Sequence, residues 1–228
     1  MTSRKIETTT EQWDKLPTIP GVHDILSTNL HARRFTLSLP NRIDSKNGNP
    51  IVLILHYWGD PTPYYGRPLI ETLYQPNWHE LDAIMIAPES SGGSWADETN
   101  EGYAIELFKT IVRTYKADKK RTLVTGYSAG ALGSCHYSHH YPELFSAAIP
   151  IAGFPTQYEP LPIPARYLLS EEDELFPFSQ FQEMISSIKD TVSTEIVSVN
   201  ARSHYDISAF SNAVSESLPW IKSFWTWF

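Results

Sequence analysis

The chain has 228 residues, 41% hydrophobic and 19% charged, which suffices for a sizeable buried core and is too apolar for a disordered chain. Its formal charge is −8 with no block of like charge behind it, so phosphate backbones are repelled and nucleic acid is not an expected partner. One cysteine excludes an internal disulfide framework, and no uninterrupted apolar run nears the roughly 18 residues of a spanning helix.

The opening MTSRKIETTTEQ carries two basic residues without an apolar stretch behind them, unlike a secretory leader, and with the lone Cys135 this suits a reducing, cytoplasmic setting. Residues 1–30 are polar and broken by proline, and are expected to form an irregular lead-in. Arg33–Leu39 alternates apolar and polar residues as a half-buried strand does. Ile51–His56, Ala83–Ala87, Thr122–Thr125, Ala147–Ala152, Arg166–Leu169 and Glu195–Val199 are short aliphatic runs, the pattern of strands buried on both faces. Helical patterns fall between them: Glu101–Lys116 with an apolar stripe, then Ala129–Tyr141, Ser179–Lys189 and Ser208–Ser217. The aromatic tail Trp220–Phe228 reads as a terminal helix covering the sheet, with a dimer contact or a membrane-surface patch as the alternative. No repeat or linker divides the chain, so the expectation is one α/β domain over residues 1–228, a mostly parallel sheet with helices on both faces. Only about a dozen residues separate the strand ending near Gly153 from the one starting near Arg166, too few for a helical lid.

In open α/β sheets the chemistry gathers at the carboxyl ends of the strands. There the strand TLVT runs into Gly126-Tyr127-Ser128-Ala129-Gly130 and then a helix, which is G-x-S-x-G in its strand–turn–helix context. Chance would supply the motif on the order of 0.05 times in a chain of this composition, so Ser128 is the candidate nucleophile. A serine needs a base and the base an orienting carboxylate, in the order serine, acid, histidine. His136, His139 and His140 lie on the helix that leads away from Ser128, which leaves His204, beyond the strand EIVSV, as the candidate base. The acid should follow Arg166–Leu169, where Glu171, Glu172, Asp173 and Glu174 stand in a row. Asp173 is the first choice, Glu172 the fallback, and the other acids read as a solvated face. For an oxyanion hole the backbone N–H of Ala129 and that of Trp58, in the loop after IVLILH, are the candidates.

These residues resemble the α/β-hydrolase superfamily, and within it the esterase branch of feruloyl esterases, polyhydroxybutyrate depolymerases and dienelactone-hydrolase-like carboxylesterases. The likeness runs from Pro50 to about Asp206, through LHYWGD, IAPESSGGSW, TLVTGYSAG and HYPELFSAAIPIAG. In place of the branch's usual His-Gly, the early loop reads His56-Tyr57-Trp58-Gly59. The resemblance implies a serine carboxylic-ester hydrolase without a cofactor, acting on small or aryl esters through an acyl-enzyme. Trp95 would help wall the site. Tyr57, Tyr127, Phe154 and Phe176 are further candidates for an acyl or aryl pocket. A peptidase or thioesterase with the same triad, or a ligand-binding protein without turnover, are the alternatives. His136 and His140 stand four apart, a spacing that can hold a metal, but no third ligand is near in sequence and none is expected. Nothing in the chain distinguishes a monomer from a homodimer.

Overall fold

The computed structural model describes residues 16–27, 33–60, 62–157, 159–186 and 194–225. Among the described residues eight strands form one sheet in the order β1-β2-β4-β3-β5-β6-β7-β8. They are β1 (Gly21–Ser27), β2 (Arg33–Leu39), β3 (Ile51–Leu55), β4 (Ile84–Pro88), β5 (Thr122–Tyr127), β6 (Ala147–Ile151), β7 (Ala165–Ser170) and β8 (Thr194–Val199). The β1–β2 and β2–β4 pairs are antiparallel, and every other pair is parallel. All the aliphatic runs read from the sequence are strands of this sheet. The helices between them are α1 (Arg67–Leu69), α2 (Gln75–Trp78), α3 (Glu98–Tyr115), α4 (Ala129–His140), α5 (Phe178–Ser186), α6 (Ser211–Glu216) and α7 (Leu218–Phe224).

The central strands β3 to β7 are largely apolar because each feeds two cores, whereas the edge strand β8 (TEIVSV) is mostly half-buried or exposed. Leu53, Leu55, Val124 and Tyr167 pack with α3, α4 and Phe181 of α5. Val52, Ile54, Leu123 and Leu168 pack on the other face with Tyr74, Trp78, Val214, Trp220 and Ile221. Side chains alternate across a strand, so a run of five aliphatics is what a doubly covered strand requires.

Two stretches differ from the sequence expectation. The lead-in is not irregular throughout, since Gly21–Ser27 makes a seven-pair antiparallel ladder with β2. His23 and Asp24 interrupt its apolar pattern, and β1 is an edge strand whose polar side chains face outward partners: Asp24 accepts from Thr36 Oγ1 and pairs with Arg67. The second is residues 67–81, assigned to no element, which coil almost continuously as α1, a π-helical turn at Ile70–Tyr74, α2 and a 3-10 turn at His79–Leu81. Pro76 has no N–H for the bond back to Thr72. The chain widens just before it, with Gln75 N–H reaching Ile70 O, so the helix continues through a proline that normally stops one.

Between β6 and β7, residues 152–164 carry no helix among the described residues. Trp220, Ile221 and Trp225 of the aromatic tail are buried against the sheet, whereas Trp227 and Phe228 lie outside the described residues. No helix among the described residues is long and apolar enough to cross a membrane.

Candidate active site

The site begins with a turn that few residues can make. Ser128 separates β5 from α4 with φ 56° and ψ −115°, a strained conformation for a residue with a Cβ. Its backbone N–H is tied to Ile151 O at 2.9 Å, and its carbonyl accepts from Ala131 and Leu132, so the turn is fixed by both neighbouring elements. The flanking glycines permit the approach. A Cβ on Gly126 would stand 2.6 Å from Leu55 O, and one on Gly130 would stand 2.6 Å from Leu55 C.

The structure brings His204 to this serine. His204 Nε2 lies 2.8 Å from Ser128 Oγ, and Nδ1 lies 2.8 Å from Asp173 Oδ2. Since a carboxylate only accepts, Nδ1 carries the proton and Nε2 is left to accept from the serine. Both His204 and Asp173 are buried. Asp173 is aimed by its own turn: its Oδ1 accepts the N–H groups of Leu175 and Phe176 at 2.9 and 2.8 Å. Of the four acids in the row, Asp173 faces the imidazole, and Glu172 is exposed. Glu174 is exposed, as the solvated face requires, and also accepts the backbone N–H of His204 at 2.8 Å.

The loop after β3 runs beside the serine because Leu55 pairs with Gly126 in parallel register. Trp58 and Ala129 each stand three residues beyond that pair, and Ala129 opens α4, where the first N–H groups have no intrahelical acceptor. The loop is pinned from behind by His56. Its Nε2 accepts Ser90 N–H at 3.1 Å and its Nδ1 donates to Tyr57 O at 2.7 Å, a pattern only the neutral ring can satisfy. Burial pushes its pKa down to about 4, which keeps it neutral. Trp95 donates from Nε1 to His56 O at 2.8 Å. The Trp95 loop is organised by buried Asn100, which accepts from Ser91 and donates to Gly92 O and Ser94 O.

The pocket candidates divide in two. Tyr57 and Phe176 are half-buried beside the site, with the Phe176 ring 5.6 Å from that of His204. Trp95, Tyr127 and Phe154 are buried. Tyr127 Oη donates to His204 O at 2.6 Å, and burial together with the charge of Asp173 pushes its phenol above its usual range, so it stays a donor. Phe154 packs between Phe176 and Phe181. The exposed apolar side chains at this edge are others: Trp58 (75% exposed), Tyr205 (74%) and Leu175 (53%). Tyr205 and Leu175 carried no motif signal. Tyr205 directly follows His204 and Leu175 stands two residues beyond Asp173, and this proximity is the one clue in the sequence.

Away from this edge, His136 Nε2 is 2.7 Å from Glu101 Oε2 and His140 Nδ1 bonds His136 O. No group of three or more His, Cys, Asp or Glu is placed to hold a metal ion among the described residues.

The Esterase family model matches residues 74–225, most of the chain. Acetylxylan esterase A of Aspergillus awamori is 31% identical over 128 residues, 50% of this chain and 40% of that protein. The chain thus spans less than half the length of the acetylxylan esterases it matches. Among solved structures, the fluorophosphonate-binding serine hydrolase F of Staphylococcus aureus superposes with a TM-score of 0.72 at 12% identity, covering 88% of this chain and 96% of that one. A ferulic acid esterase superposes with a TM-score of 0.67 at 14% identity, covering 90% and 97%.

Proposed function

The chain belongs to the Esterase family and has the α/β-hydrolase fold, and from that premise we propose that it is a serine hydrolase of carboxylic esters working through an acyl-enzyme. The observation that carries this is the run Ser128–His204–Asp173, with both links at 2.8 Å. In this reading Ser128 Oγ attacks the ester carbonyl as its proton passes to His204 Nε2. Asp173 holds the ring and stabilises the imidazolium that forms. The tetrahedral oxyanion is met by the backbone N–H groups of Ala129 and Trp58. His204 then returns the proton to the departing alcohol, leaving Ser128 acylated. Water, deprotonated by the same nitrogen, releases the acid and restores the serine.

The substrate class follows from the rim. With no helix over residues 152–164 among the described residues, and with Trp58, Leu175 and Tyr205 exposed on the loops after β3, β7 and β8, the site suits small or aryl esters whose outer part lies on apolar surface. The names of the relatives make acetylated xylan and feruloyl esters the first substrates to try.

Ser128→Ala should lower turnover of p-nitrophenyl acetate by several powers of ten, because an oxyanion hole and binding alone retain only roughly 10³–10⁴ over water. Activity unchanged in that variant would reject the assignment. Parallel kcat/KM values on acetyl, feruloyl, thioester and aminoacyl substrates separate an esterase from a thioesterase or peptidase.

A further inference from the structure

Besides the contact of its Nε2 with Ser128 Oγ, His204 is held at three points, and only one of these is on its ring. Nδ1 meets Asp173, the backbone N–H donates to Glu174 Oε2 at 2.8 Å, and the backbone carbonyl accepts from Tyr127 Oη at 2.6 Å. We propose that Glu174 and Tyr127 are positioning residues, a clamp on the backbone of His204 that sets where its Nε2 stands relative to Ser128 Oγ. The proposal rests on the reading of Ser128 as nucleophile and His204 as base.

The loop that carries His204 needs such a clamp. It lies between the end of β8 at Val199 and the 3-10 turn Ile207–Phe210, outside the sheet ladder. Ser170 Oγ anchors its start by donating to Ala201 O, and Asp206 N–H closes a turn onto Ser203 O. Asp173 alone fixes one ring nitrogen and leaves the imidazole free to pivot about that bond, which would swing Nε2 away from the serine. Anchors on the amide before Cα and the carbonyl after it remove the pivot.

Both anchors are well placed for this work. Tyr127 is covalently next to Ser128, so a single peptide bond separates the clamp from the nucleophile. Its hydroxyl is buried and stays protonated, a donor with one good acceptor. Glu174 is covalently next to Asp173, on a turn made rigid by the bonds from Leu175 and Phe176 to Asp173 Oδ1. Adjacent carboxylates therefore grip the ring and the backbone of the same histidine.

The test compares Glu174→Ala, Glu174→Gln and Tyr127→Phe in p-nitrophenyl acetate turnover and in the rate of Ser128 labelling by a fluorophosphonate, which also needs the base. Glu174→Ala and Tyr127→Phe should lower kcat roughly 10- to 100-fold with KM within about threefold, since small misplacements of reacting groups cost factors of this size. Labelling should slow in parallel. Glu174→Gln should recover to within about threefold of the parent, because an amide oxygen still accepts the His204 N–H. Parent-like kcat and labelling in Glu174→Ala would overturn the clamp. So would Glu174→Gln as slow as Glu174→Ala, which would make the charge, not the hydrogen bond, the active feature. If Glu174→Ala does not fold, the Gln and Tyr127→Phe variants decide. Failure of the underlying reading shows separately, as an active Ser128→Ala.

Discussion

His56 shows how a residue outside the reacting set conditions the site. Its ring is neutral because burial holds its pKa near 4, and the neutral ring is what accepts Ser90 N–H while donating to Tyr57 O. Above the ordinary histidine value of about 6.5 the folded and unfolded chains are both neutral here, and the contribution to stability is complete. Below it the unfolded chain takes up a proton that the folded one refuses, so stability falls with pH and the loss is finished near pH 4. The expected loss is on the order of 3 kcal/mol over that window. Urea unfolding between pH 7 and 4 should show it, and His56→Gln should remove that part of the slope. Cys135 marks the opposite case. It is buried, its thiol is pushed up to about 12 by burial, and the folded protein should resist iodoacetamide until denaturant is added.

At the scale of elements, the site depends on how closely α4 approaches β3. The helix starts at the nucleophile and carries Gly130 over Leu55, where a Cβ would stand 2.6 Å from the carbonyl carbon. Gly130→Ala must push the start of α4 off the strand. Overpacking of this kind costs about 1–3 kcal/mol. It should also separate Ala129 N–H from the Trp58 loop, so activity should fall further than the shift in urea midpoint alone accounts for. Elements were legible in the sequence wherever their own packing was symmetrical. The aliphatic runs of β3 to β7 declare themselves because both faces are covered. Edge strand β1 does not, since its pairing with β2 supplies most of its reason to be extended. The coil over residues 67–81 was hidden by Pro76, a residue that normally ends helices, and the π-helical turn that accommodates it has no simple sequence signature.

For the molecule as a whole, the charge of −8 is unevenly spread. The loops after β7 and β8 hold Glu171, Glu172, Asp173, Glu174 and Asp206 against one cation, Arg202, and Asp60 stands on the loop after β3. A mouth of one sign steers ligands by charge. Under the proposed function, an aryl acetate bearing a sulfonate should show kcat/KM about tenfold below a neutral one of matched leaving-group basicity at low salt. The gap should narrow at 0.5 M salt, where screening acts within a few ångströms. An equal kcat/KM for the two esters at low salt would remove charge from the account of selectivity.

The sequence by itself determined the fold class, the strained turn at Ser128 and the chain order in which a serine, an acid and a late histidine follow one another. These depend on local chemistry: glycines that admit a tight turn, and aliphatic runs that must be buried on both sides. Only the tertiary structure decided which of four consecutive acids meets His204, and that Glu174 holds the same residue by its backbone. It alone showed Tyr127, Trp95 and Phe154 buried and Trp58, Tyr205 and Leu175 exposed. The reason is geometric. Where a side chain points at the end of a strand depends on how neighbouring loops pack against it, and those neighbours come from distant parts of the chain.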